Sequence, residues 1–587
     1  MTLRPADRTL LALAAVAIAI AAADTYVVVL ALPDMSAAAG LDALELQRSA
    51  PIISGFLLGY VAMLPLIGRV ADLEGRVPVL LLALAVFAAG SAVTMLAYDL
   101  PGMVAGRFLQ GVGGGGLVPA TMALVADLYP KERRGLPLGL VSAVQEFGSV
   151  LGPVAGALVL AVATWRGIFA LNLAAAAVLL VAVGRAARRS EVVDATASAR
   201  RAAGRDVVSW LLLVVLVVAG ALNALRPPGI VRDLFWGQFF VSYVGTHRWL
   251  TPVGLVAVLA LVALLVWSLV TPHPLLDLRR WWRAFAAADL PGALLLAAAL
   301  GGIVLAFGTG DPAIQVFSPA GPWYLLGSAV AAVLFVVHLR RAANPVVPRG
   351  SLAHRNAWGG LLVSFFVGSA LIAAVVSIPI FAALTVHKDS QVAASLVLVR
   401  LLVALPVGAV LGGWLLRRLP AGVIAGGGML LAAGGFVWMA SWDAESLEHL
   451  VSTVPLLVTG LGFGLALAPV NAAVLAATDD DVHGLASAMT VVARMVGMLV
   501  GISALTALGL RAFYAAQRDI PAPAEVCGDQ GSRCSAYIRL QLDAALTQEQ
   551  FIFAGAAVCA LVAAVLALVL LRGTETRERG GTGLLIG

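Results

Sequence analysis

Continuous apolar runs separated by short polar breaks dominate the chain from residue 9 onward. In a window of about 19 residues, the runs fall near 9–33, 47–68, 78–97, 101–128, 137–161 and 167–183. After the polar break GRAARRSEVVDATASARRAAGRDV they resume near 207–224, 248–270, 286–308 and 322–340. A second break, RRAANPVVPRGSLAHRNAW, precedes runs near 357–385, 392–416, 422–440, 453–478, 486–513 and 548–572. Uninterrupted runs of this length predict membrane-crossing helices, whereas barrel strands alternate apolar and polar residues over about ten positions. The pattern predicts an all-α polytopic membrane protein of about sixteen spans, in blocks of six, four and six.

The outer blocks repeat one another. RGLPLGLVSAVQEFGSVLG, from Arg134, and HGLASAMTVVARMVGMLVG, from His483, align without gaps, matching Gly135 to Gly484 and Gly148 to Gly497. Each opens the fifth span of its block. Two six-helix halves with corresponding loops are the mark of a transporter built from repeats, its pathway between them. The expected organisation is a first half over 1–190 and a cytoplasmic linker with about four extra spans over 191–356. A second half follows over 357–573, with an outer loop at 514–550 and a cytoplasmic tail at 574–587. With the N-terminus inside, about 25 Lys and Arg lie in inner loops and tails against about 10 in outer ones, so both termini are expected in the cytoplasm.

Composition narrows the function classes. The 587 residues are 61% hydrophobic and 12% charged, with mean hydropathy +0.98, values that fit a multi-pass protein of the cytoplasmic membrane. Loop topology accounts for the net charge of +6, and no nucleic-acid partner is expected. The first run has no A-x-A-like end, which reads as a retained helix rather than a cleaved signal. Three Cys exclude a thiolate metal cluster, so no metal is expected. Cys527 and Cys534 share an outer loop where oxidation is permitted, and a disulfide between them is expected. The seven His are scattered, without an H-E-x-x-H or G-x-S-x-G setting, which argues against an enzyme. GVGGGGLVPA lacks the Lys of a phosphate-binding loop, so ATP is excluded as the energy source and no cofactor is expected.

Four motifs carry a resemblance. GRVADLEGR, with Gly68, Asp72, Gly75 and Arg76, fits G-x-x-x-D-x-x-G-R between spans two and three. It resembles the loop signature of the major facilitator superfamily, expected to latch one conformation, although Val77 and Pro78 follow where the family usually has another basic residue. GRFLQGVGGGG in span four, with Arg107, Gln110, Gly111 and Gly113, resembles the family's R-x-x-Q-G-x-G. GSVLGPVAG in span five, with Gly148, Gly152, Pro153 and Gly156, resembles the signature of its antiporters. DTYVVVLALP in span one resembles the first-helix signature of drug:proton antiporters with extra central helices. The resemblance implies the major facilitator fold and transport driven by the proton motive force.

A narrower resemblance rests on DTYVVV, LGYVAMLPLIGRVAD, AVQEFGSVLGP, ALPVGAVLGGW and VVARMVGMLVG. These are similar to mycobacterial exporters that work with a lipid-carrying lipoprotein and move triacylglycerides and other lipids out of the inner membrane. What this implies is a proton-coupled exporter of triacylglyceride-like lipids or amphiphilic compounds, acting as a monomer with a periplasmic lipoprotein partner. A multidrug:proton antiporter for amphiphilic cations is the alternative. Those relatives have two central helices, and the pair near 207–270 is additional here.

Charges within apolar runs are expensive and point to function. Asp24 in span one is the expected proton acceptor. Arg107 must find a carboxylate or carbonyl partner in the protein interior, and a part in proton coupling is expected of it, with a purely structural role as the alternative. Glu146 and Arg494 fall at nearly equivalent positions of the repeated fifth spans, which suggests a pair across the central pathway that protonation would open. Arg400 is an alternative partner for Glu146. Asp289 reads as a charge at a helix start favoured by the dipole, outside the site.

Overall fold

A computed structural model describes residues 4–40, 50–130, 134–189, 206–243, 248–272, 274–308, 320–342, 345, 347–348, 350, 352–387, 391–479, 482–527 and 534–572. No strand occurs among them. The first block forms α1 (Pro5–Ala38), α2 (Ala50–Glu74), α3 (Arg76–Leu96), α4 (Leu100–Leu128), α5 (Gly135–Val162) and α6 (Trp165–Ala187). The central block forms α7 (Val207–Leu225), α8 (Pro252–Val270), α9 (Leu278–Ala287), α10 (Leu290–Gly308) and α11 (Gly321–Arg341). The last block forms α12 (Arg355–Leu384), α13 (Gln391–Leu415), α14 (Ala421–Met439), α15 (Thr453–Ala476), α16 (His483–Arg518) and α17 (Ser535–Leu570). By length and composition, 14 helices among the described residues can cross a membrane, and up to 15 with the bent pair α9 and α10. Helix α5, 28 residues long, occupies the position of span five.

The two outer blocks share one packing scheme. Helix α1 lies along α5 as α12 lies along α16, and α4 wedges between α2 and α3 as α15 does between α13 and α14. Glycines set these distances. A Cβ at Gly111 or Gly115 would lie 2.1 Å and 2.8 Å from the carbonyl oxygens of Phe56 and Tyr60, and at Gly460 or Gly464 2.0 Å from those of Leu401 and Leu405. The halves meet where α2 runs along α16 and α5 along α13, with Gly139 pressed on the carbonyl of Ala409.

Three elements depart from the apolar runs. The stretch Gly68 to Glu74, expected as a loop, is the last two turns of α2, and the connection to α3 is Gly75 alone. Its φ of 93°, in the left-handed region, explains why glycine stands there. The expected span 286–308 starts at Leu290, and α9 before it is turned by 75°. Asp289, at φ 62°, makes the break. Its carboxylate accepts from the amide of Gly292 (3.2 Å) and meets Nε2 of His338 on α11 (2.8 Å). Helices α16 and α17 each run 36 residues, beyond the spans 486–513 and 548–572. At 1.5 Å per residue each reaches about 54 Å, against a hydrocarbon core of about 30 Å.

The central block divides into two hairpins. Helices α7 and α8 pair through Thr251 Oγ1, which donates to Asn223 (3.0 Å), and through Trp267 Nε1, which donates to Asp206 (3.0 Å). Their outward faces carry exposed Leu and Val, as lipid-facing surfaces do. Helices α10 and α11 pair closely, and α10 also lies against α2 and α16, at the seam between the halves.

Candidate functional site

Asp24 is 1% exposed and Arg107 is fully buried. An isolated charge at this depth would be prohibitive, and the two satisfy one another. Nη1 of Arg107 donates to the Asp24 carboxylate and to Oε1 of Gln110 (3.0 Å). Asn172 on α6 donates to the other carboxylate oxygen. Gln110 in turn donates to Ser91 Oγ (2.9 Å) and accepts weakly from Thr94 (3.4 Å), both on α3. The guanidinium carbon stands 4.3 Å from the Phe56 ring centre, a cation–π geometry. Arg107 Nε has no hydrogen-bond partner among the described residues. One network therefore draws on α1, α2, α3, α4 and α6. A proton on Asp24 would cancel its charge and leave the guanidinium to Gln110, Phe56 and a long contact with the Asp24 backbone oxygen (3.5 Å), which would weaken what holds α1 to α4.

Among the described residues the C-terminal half has no counterpart to this pair. Gly148 and Gly152 of α5 press on the carbonyls of Ala19 and Ala23, and Gly497 and Gly501 of α16 press on Phe365 and Ser369. By that register Asp24 corresponds to Ala370. The matching glycines of α4 and α15 likewise set Arg107 opposite Leu456. Both counterparts are buried apolar residues.

Gly156 completes the α5 motif against Val27 of α1. The expected Glu146–Arg494 pair, and the side chain of Pro153, lie outside the described residues because the side chains of Glu146 and Pro153 do. Arg494 itself is 7% exposed and borders an inter-half cavity of about 10 Å³ with Ser142, Gln145, Ser364, Asn471 and Thr490. That volume is about one water, so the halves are closed at this level. Arg400 donates to Thr453 Oγ1 (3.1 Å).

At the Gly75 end the two halves are joined by hydrogen bonding. Asp72 accepts from Arg76 and from the backbone N–H of Leu485 in the first turn of α16 (3.1 Å). Carboxylates favour helix N-termini for the partial positive charge of their free N–H groups. Arg76 also pairs with Asp127 (3.3 Å), and Gly68 is buried on α2. At the opposite end Cys527 and Cys534 form a disulfide with Cα atoms 5.6 Å apart.

Asn172, Ser91, Thr94 and Phe56 were not expected in the site. Asn172 is the one polar residue in FALNLAAAA, and Ser91 and Thr94 recur at helical spacing in α3. Those were the available signals, and none of them names a partner.

The Major Facilitator Superfamily profile matches residues 14–318. A triacylglyceride transporter of Mycolicibacterium hassiacum is 33% identical over 530 residues, 88% of this chain and 82% of that protein. One from Mycolicibacterium smegmatis is 32% identical over 571 residues, covering 94% and 86%. The crystal structure of the human organic anion transporter TETRAN shares the fold, with a TM-score of 0.52 at 14% identity over 96% of this chain and all of that one. With two six-helix blocks joined through Asp72 and relatives of this extent, the chain belongs to the major facilitator superfamily of membrane transporters.

Proposed function

We propose that the protein is a proton-coupled exporter of triacylglyceride-like lipids from the cytoplasmic membrane, with Asp24 as the proton acceptor. The observation that carries this reading is the buried Asp24–Arg107 pair, present in one half and replaced by Ala370 and Leu456 in the other. A proton-coupled transporter needs a charge whose neutralisation alters helix contacts, and among the described residues this pair joins α1 to α4 at full burial. The lipid substrate is supported by the relatives named triacylglyceride transporters. A multidrug antiporter would present a free carboxylate to a cationic drug. Both oxygens of Asp24 are engaged, by Arg107 and Asn172, which favours lipid over cation.

On this reading both termini are cytoplasmic, residues 1–190 and 357–573 rock against each other, and 191–356 is the accessory block. The Glu146–Arg494 contact is a lock between the halves that a proton on Glu146 releases. The chain acts as a monomer, and the projecting ends of α16 and α17 meet a periplasmic lipid-carrying lipoprotein. Purified protein in proteoliposomes with a fluorescent triacylglyceride tests the coupling. An imposed pH gradient should drive export by the unaltered chain, and Asp24→Asn and Glu146→Gln should each abolish the driven component in protein that still expresses and reconstitutes. Full gradient-driven transport by both variants would refute the coupling.

A further inference from the structure

Helix α9 reads LRRWWRAFAA, with Arg279, Arg283 and Trp282 exposed and Ala284 buried. It is turned by 75° from α10 at the Gly75 end of the bundle. A short basic, aromatic helix bent away from a span lies in the membrane interface rather than across it. Arg280 fastens it to Glu74, the last residue of α2 (2.8 Å).

Beneath α9 lies a cavity of about 190 Å³. Its walls come from Ile67 of α2, Leu82 and Val86 of α3, Val112 of α4, Phe285 of α9 and Leu290 of α10, among others, and all its lining side chains are apolar. A dry cavity of about 150 Å³ already holds benzene, so this one accommodates a length of hydrocarbon. The lining residues of α2 and α3 fall within about three turns of Gly75 on either side, which places the cavity in the leaflet on that side. Leu82, Val86 and Ile67 are half-buried, which puts them at the rim.

We infer that this cavity binds one acyl chain of an anionic phospholipid from the leaflet at the Gly75 end, its headgroup held by Arg279 and Arg283 of α9. Charge complementarity selects the occupant, because apolar walls accept any chain and the two exposed guanidiniums favour an anionic headgroup over a zwitterionic or neutral one. The lipid would lean on α9, and through Arg280 and Glu74 on the end of α2 that carries Asp72. The site does not depend on the proposed substrate or on proton coupling.

Photo-crosslinking of the full chain in nanodiscs tests it, with a diazirine in one acyl chain of phosphatidylglycerol, phosphatidylcholine or diacylglycerol. Phosphatidylglycerol should label the stretch of α3 with Leu82 and Val86, and Phe285, several-fold above the lipid-exposed face of α11 around Val333. The other two probes should label it several-fold less. Val86→Trp, which fills the cavity, should remove these adducts. Arg279→Gln with Arg283→Gln, on the exposed face, should erase the headgroup preference, and decides the matter even if the Trp variant does not fold. Labelling equal to that of α11, equal labelling by the three probes, or adducts that persist in a folded Val86→Trp protein would each overturn the inference.

Discussion

Asp24 and Arg107 illustrate how buried charge differs from surface charge. A surface pair contributes at most about 1 kcal/mol, whereas removal of one member of a buried pair strands the other at a cost of about 3–5 kcal/mol. Arg107→Gln should therefore destabilise the protein by about that amount, because Asp24 would keep only Asn172 and its residual contacts. The double variant Asp24→Asn with Arg107→Gln buries two neutral amides and should recover much of the loss. Thermal unfolding of the purified single and double variants closes the cycle, and strictly additive effects would show that the pair is not coupled. The sequence made both charges visible but not their pairing. An Arg in a helix announces that it needs a partner, and only the packing of α1 on α4 decides which carboxylate that is. Asn172 was less legible still, since a single amide among alanines has many possible acceptors.

The glycine contacts belong to the scale of helix pairs. A Cβ at Gly148 would lie 2.2 Å from the Ala19 carbonyl oxygen, and one at Gly497 1.9 Å from that of Phe365. Both obstacles are backbone, so the helices must separate, with an overpacking cost of about 1–3 kcal/mol. Gly148→Ala and Gly497→Ala should thus lower the melting temperature alike, whereas Gly427→Ala and Gly434→Ala, with nothing within 4 Å, should not. Equal effects at all four would mean that helix propensity, not close approach, is being measured. These contacts were readable in advance because small residues at four-residue spacing state a helix face. The break before α10 was readable in part: Asp289 reads as a charge at a helix start, and its carboxylate does accept from the Gly292 amide, whereas the otherwise apolar run 286–308 gives no sign of the left-handed backbone that turns the chain there.

At the scale of the whole molecule, a symmetric scaffold carries asymmetric chemistry. The two blocks repeat their helix contacts through the same glycines, while the buried ion pair is found in the first. A contact that favours one relative position of the halves is what we propose for Asp72, which caps the N-terminal turn of α16 across the interface. A charge–dipole contact of this kind is worth about 0.3–2 kcal/mol, depending on burial, enough to shift an equilibrium between closed and open ends several-fold without locking it. Asp72→Ala leaves the Leu485 amide without its acceptor and releases Arg76 to Asp127, so the Gly75 end should open more often. A cysteine at Ser142, which borders the inter-half cavity, reports that opening once the free Cys559 is replaced by Ser. Its reaction with a water-soluble maleimide should be several-fold faster with Asp72→Ala than with Asp72 intact. If the rates are equal, the closure rests on the packing of α2 on α16 and of α5 on α13, and the Asp72 contact follows it rather than holding it.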